Sequence, residues 1–189
     1  MLTATDGESL YDIRMIINTP RLRLRGWEQS DREAFAAMHA DAEVMHDYGG
    51  PISRGESDAK LDRYAATWRK HAFGRWAIET STGAFLGYAG VMPSRPDHPI
   101  GSHAEIGWRL VRHAWGHGYA TEAARAALND AFARVRLAEV LSYTAADNPR
   151  SQAVMLRLQM LRDPSRDFTF HYDGVRAWRG MVWTMRTGA

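Results

Sequence analysis

Trp115-Gly116-His117-Gly118-Tyr119-Ala120-Thr121-Glu122-Ala123 sets two glycines around one histidine, immediately before a long alanine-rich helical pattern. Glycine lets the backbone turn and lets a ligand approach without a Cβ in the way. The first turn of the following helix offers unpaired amides and the positive end of its dipole, a ready seat for an anion. The stretch therefore reads as a cradle for a ligand carrying a diphosphate. It is neither of the commoner phosphate loops. It lacks the Gly-Lys-Ser/Thr ending of one, and the three glycines with a later acidic residue of the other.

Outward from this cradle, strand-like and helix-like segments alternate, with no internal repeat and no low-complexity linker. Upstream, Ala104 to Val111 reads as a strand running directly into the glycines. Residues 93 to 103 are crowded with proline, aspartate and histidine, which argues for a mobile loop. Trp76 to Thr80 and Phe85 to Met92 flank Ser81-Thr82-Gly83-Ala84, a hairpin signal. Ser53 and Glu56 form a capping box before a helix with Leu61, Tyr64, Ala65 and Trp68 at helical spacing, closing near Gly74. Ser30 and Glu33 form another box, opening a helix to about Ala40. Residues 16 to 25 alternate as one opening strand, with Arg21, Arg23 and Arg25 on one face, read as solvated. Downstream, Ala120 to about Arg134 is helix, Val140 to Thr144 strand, and Ser151 to Leu158 helix. The final strands fall near Phe168 and from Arg179 to Met185. This order predicts an α/β (α+β) fold with a mixed, mostly antiparallel sheet flanked by helices.

The cradle resembles motif A of the GCN5-related N-acetyltransferase superfamily, Gln/Arg-x-x-Gly-x-Gly/Ala, written here Trp115-x-x-Gly118-x-Ala120. Trp115 stands where that family has Gln or Arg. A second segment, Asn148-Pro149-Arg150-Ser151-Gln152-Ala153-Val154-Met155-Leu156-Arg157-Leu158, is similar to a signature of the branch related to ribosomal-protein N-terminal acetyltransferases. Asn148, Ser151, Val154, Arg157, Leu158 and Met160 match; Gln159 replaces a glycine, which puts the local turn in question. Thr19-Pro20-Arg21-Leu22-Arg23-Leu24-Arg25 looks like that branch's opening strand. The matches run from about residue 16 to residue 185. They imply one N-acetyltransferase domain over 15–189, preceded by an extension, residues 1–14, that is disordered or lies before a natural start at Met15. The implied fold has six to seven strands, about four helices and a splayed central strand pair.

The 189 residues and 45% hydrophobic content are enough for a real core. With 24 Lys plus Arg against 22 Asp plus Glu, the formal charge is only +2, which is no nucleic-acid footprint. Absent cysteines remove disulfides, thiolate metal sites and a cysteine nucleophile. No His/Asp/Glu spacing suggests a metal. With no long apolar run and no secretory segment, no membrane association is expected and the cytoplasm is the default. Exposed strand edges leave a homodimer open.

Acyl transfer from a thioester to an amine needs a neutral amine, a polarised carbonyl and a proton for the departing thiolate. The resemblance implies that the co-substrate is acetyl-coenzyme A, used in a ternary complex without a covalent enzyme intermediate. Leu110, Val111 and Arg112 would meet its pantetheine arm; Gly116, His117, Gly118, Tyr119, Ala120 and Thr121 would hold its diphosphate. Asn148 would bind the arm or order its loop. Ser151 would protonate the thiolate, with helix capping as the competing role. Glu105, on the strand entering the cradle, is the best base; its alternatives are a solvent-facing position or an ion pair. His98 and His103 could titrate near neutrality or be plain surface residues. Glu122 could serve only the helix dipole. The seven tryptophans read mainly as core or pocket wall. The acceptor is a primary amine, on a protein N-terminus or a small molecule; an acidic pocket would favour a cationic amine and an open groove a peptide. From other classes come a non-catalytic acyl-coenzyme A sensor or assembly module, and a basic RNA-binding module suggested by the pI alone.

Overall fold

The computed structural model describes residues 15–170 and 177–187. The extension assigned to residues 1–14 lies outside them. The predicted opening strand is two strands, β1 (Ile16–Asn18) and β2 (Leu22–Arg25), paired antiparallel with Ile16 opposite Arg25. Pro20 has no amide to give a ladder, so the chain reverses there. The Thr19 hydroxyl fixes the reversal by accepting from the Leu22 amide at 3.0 Å and donating to Glu122 Oε1 at 2.6 Å.

Helix α1 (Asp31–Ala40) starts where predicted but not by the predicted device. Ser30 makes no capping bond. Asp31 turns inward instead, accepting from the Glu28 amide at 2.8 Å and receiving Arg25 on both oxygens at 2.8 Å. Arg25 also meets Glu79 at 2.7 Å and is only 8% exposed, so the arginine face read as solvated is buried at this position. Helix α2 (Arg54–His71) does open on its box, with Glu56 accepting from the Ser53 amide at 2.8 Å and Ser53 accepting from the Glu56 amide at 3.3 Å.

The hairpin strands β3 (Arg75–Thr80) and β4 (Phe85–Pro93) follow, then β5 (Ala104–Leu110), α3 (Tyr119–Ala133), β6 (Glu139–Thr144) and α4 (Pro149–Arg157). Strands β7 (Leu161–Arg162), β8 (Phe168–Phe170) and β9 (Trp178–Arg186) close the chain. The sheet order is β1-β2-β3-β4-β5-β6-β9-β7, with β8 on β9. Nine strands replace the expected six to seven because short pieces at the edges join the ladder. Every pairing is antiparallel except β5 with β6.

That parallel pair carries one register match, Glu105 opposite Leu141, reinforced by Ser142 Oγ donating to the Ile106 carbonyl at 3.0 Å. Beyond it the strands part, giving the expected splay. Helix α3 packs across β4 and β5 on Ala123, Ala124, Ala127 and Ala131, whose small side chains allow a close approach. From α1 and α2, Phe35 and Tyr64 reach Tyr88, with ring centres 5.9 and 5.2 Å away. Trp27, Phe35, Trp76, Leu61 and Ile78 fill the centre of the core. Gln159 ends α4 at φ 65°, which is the left-handed conformation that glycine adopts most easily. The turn in question forms all the same, secured by the Met160 amide on the Met155 carbonyl at 3.0 Å.

Candidate active site

Gly116 and Gly118 both take positive φ, 82° and 78°, and so carry the chain from β5 into α3. Among the described residues, no protein group accepts from the amides of Gly116 through Thr121 beyond the helix's own ladder, and the first turn of a helix has no such acceptor. The result is a row of donors at the positive end of a 15-residue helix. Its position is fixed from the side. Arg21 donates to the His117 carbonyl at 2.8 Å and to Glu122 Oε2 at 2.7 Å, while the Arg21 amide meets Glu122 Oε1 at 3.0 Å. Burial pushes the Glu122 carboxyl up, but the bonds from Thr19 and Arg21 outweigh it and hold the group below its usual value. Glu122 therefore braces the cradle against the β1–β2 turn, a role beyond the dipole. The exposed His117 ring stacks on Tyr119.

Leu110 is buried, and its carbonyl accepts from Trp115 Nε1 at 3.0 Å. The Val111 amide donates to the Leu86 carbonyl at 3.0 Å, and Arg112 opens a short turn and pairs with Glu43 at 2.9 Å. These three residues shape the entry to the cradle with much of their own bonding capacity in use. The stretch of β5 from Gly107 onward, unpaired on its β6 side, faces the gap. Trp115 lies between Arg112 and Arg150, 4.7 and 4.3 Å from the guanidinium carbons. The departure from Gln or Arg thus leaves a flat, cation-flanked wall beside the gap.

Across the gap, Asn148 is the N-cap of α4, and its Oδ1 accepts from the Ser151 amide at 3.1 Å. Helix α4 begins two residues earlier than predicted, with Pro149 in its first turn, a favoured place for proline. Ser151 is therefore relieved of capping. It is half-buried, and its hydroxyl has no protein partner among the described residues.

Glu105 is in the ion pair that sequence left open: its Oε1 meets Arg75 Nη2 at 2.6 Å. Arg75 is 5% exposed and also reaches the Gly107 carbonyl at 3.3 Å, tying β3 to β5 beneath the gap. His98 and His103 are not plain surface residues. Their rings lie 4.7 Å apart, with His98 4.6 Å from Phe168 and 5.0 Å from Tyr143. Burial, then the neighbouring His103, pushes His98 below the usual histidine value. Their loop is closed by the Ser94 amide on the His103 carbonyl at 2.8 Å.

Several residues that sequence reading passed over complete this face. Arg109 pairs with Asp47 at 2.8 Å and reaches the Val44 carbonyl, and Asn148 Nδ2 meets the same Asp47 at 3.3 Å. Tyr88 stands opposite Arg109 in the ladder. Burial raises the Tyr88 phenol, but Lys60 and Arg109 outweigh it and hold it below the usual range. His39 is fully buried; burial, then the charge of Lys60, lowers it to about 3. Strand alternation from Glu105 through Gly107 to Arg109 was the available signal, since residues two apart share a face.

No group of three or more metal-ligating side chains occurs among the described residues, and no helix there is long and apolar enough to cross a membrane. The family model for the acetyltransferase (GNAT) domain matches residues 21–161. The N-acetyltransferase YoaA of Bacillus subtilis (strain 168) is 27% identical over 146 residues, 76% of this chain and 81% of that protein. An acetyltransferase from Agrobacterium tumefaciens str. C58 superposes with a TM-score of 0.78 at 28% identity, covering 95% of this chain and 99% of the other. A ribosomal-protein α-N-acetyltransferase solved with coenzyme A shares the fold at a TM-score of 0.71 and 16% identity, covering 91% of this chain and 98% of its own. The open amide row, the parted strands beside it and these likenesses agree: the chain belongs to the GNAT acetyltransferase family and is an acetyl-coenzyme A dependent acyltransferase.

Proposed function

We propose that this chain is an N-acetyltransferase that moves the acetyl group of acetyl-coenzyme A to a primary amine by direct attack in a ternary complex. The observation that carries the reading is the unclaimed amide row from Gly116 to Thr121 at the mouth of the β5–β6 gap. Bound there, the co-substrate would supply a thioester in the gap. The amides take its diphosphate, and the free edge of β5 lines its arm. The second oxygen of Glu105, which has no protein donor among the described residues, accepts the amine's proton through water. As the C–N bond forms and the C–S bond breaks, the Ser151 hydroxyl gives its proton to the leaving thiolate, and solvent returns the proton from Glu105. Asn148 sets the height of Ser151 through the helix cap.

Calorimetric titration with acetyl-coenzyme A, followed by thiol release against amines and N-terminal peptides, tests this. Binding at micromolar concentration with amine-dependent release is expected; no binding overturns the reading. Binding without release to any amine would instead favour an acyl-coenzyme A sensor. Ser151→Ala should cut turnover by about 10²-fold or more with cofactor affinity retained, the size expected for a lost general acid.

A further inference from the structure

Around Tyr88 the protein collects Lys60, Arg109 and His39, and the carboxylate beside them, Asp47, is paired with Arg109. Lys60, on α2, is 6% exposed and, among the described residues, has neither a hydrogen bond nor an ion pair; its Nζ lies 4.4 Å from the Tyr48 ring centre and 5.9 Å from that of Tyr88. Arg109 Nε and His39 Nε2 are sealed from solvent and also lack a partner. Asp47 is engaged by Arg109 and Asn148, and Asp58 by Arg54 and Arg32. Tyr48, half-exposed, has Lys60 on its ring and the Arg109 guanidinium carbon 5.7 Å away. A cation removed from water without a counter-charge is costly, and a ligand anion is the group that would remove the cost.

We propose that Lys60, assisted by Arg109, receives a carboxylate carried by the acceptor, so that the preferred substrate is a carboxylate-bearing amine, an amino acid, and neither a polyamine nor an uncharged amine. Position supports this. Arg109 lies in the stretch of β5 that is unpaired on its β6 side, and its partner Asp47 also takes Asn148, the cap of the helix that carries Ser151, so a carboxylate at Lys60 and Arg109 lies beside the gap. The Lys60 field is already felt there, in His39 and in Tyr88. Tyr48 is half-exposed, and the cradle takes its own anion beyond Leu110, on the amides of Gly116 to Thr121. The inference rests on the transferase reading proposed above.

The test compares free amino acids, ω-amino acids, their carboxamides and spermidine as acceptors at saturating acetyl-coenzyme A. Each acid should exceed its carboxamide by at least about tenfold in kcat/KM, the discrimination expected when a polar seat is left empty. Lys60→Met should bring that ratio near one by raising KM for the acid, with acetyl-coenzyme A affinity unchanged, and Lys60→Arg should retain part of the preference. A thermal melt confirms that each variant folds. Carboxamides or spermidine acetylated as well as the acids, or a preference that survives Lys60→Met, overturns the proposal while leaving the transferase intact. Failure of acetyl-coenzyme A to bind the unaltered chain removes both.

Discussion

The cradle and the proposed acceptor face share the strand β5 and are made of different materials. The cradle is backbone: a row of amides, two glycines at positive φ and a helix dipole, with side chains acting only as braces. The proposed acceptor face is almost entirely side chain, drawn from α1, α2, β3, β4 and β5, and held by ion pairs such as Arg75 with Glu105 and Arg109 with Asp47. A backbone device is local in sequence and tolerates changed side chains, which is why Trp115 can stand in the motif. A side-chain device depends on distant elements meeting, and a single substitution can change what it recognises.

The largest test of this contrast is Arg75→Met. Removing the buried guanidinium leaves Glu105 without its partner, and breaking such a pair should cost about 3 kcal/mol of stability. Chemical denaturation would read this, and acetyl-coenzyme A affinity of the folded fraction should be unchanged if the two regions are separable. Gly118→Val attacks the cradle. A Cβ at this position would lie 3.5 Å from Arg21 Nη2, ordinary contact, so the penalty comes from φ. It should be about 1–2 kcal/mol. Here the expected loss is in cofactor affinity, about tenfold or more by titration, with the acceptor preference unaltered.

Glu122→Gln is the mildest change. Glu122 is held below its ordinary value when folded, so its contribution is present above the unfolded pKa and is lost as pH falls through the folded one. Thermal melts from pH ~6 down to pH ~3, with the loss beginning at pH ~4.3, should fall less steeply for the variant. Because Arg21 is half-exposed, the difference should be about 1 kcal/mol or less. An equal slope in both proteins would mean that the brace is not electrostatic.

The same division governed what could be read from the chain. The glycine turn into α3, the hairpin at Ser81–Ala84, the Ser53 box and the helix over Ala120–Arg134 were legible because each is a local pattern of glycine, capping or periodicity. The Ser30 box misled, since its sequence fits but Arg25 draws Asp31 inward, a contact no local rule contains. The opening strand was drawn too long because alternation continued across Pro20. On the acceptor face, Glu105 was visible on its strand, but its pairing with Arg75 spans 30 residues and Arg109 with Asp47 spans 62. Lys60 looked like any lysine on a helix until burial singled it out.

The parting of β5 from β6 also has a mechanical side. The ladder from β1 to β5 and the ladder of β6, β9, β7 and β8 are each continuous, yet one register match and one serine hydroxyl join them. Such a seam is the softest line across an otherwise stiff plate. Flexing along it widens or narrows the gap without opening either half, so the clearance of the gap can change at little cost to the rest of the fold.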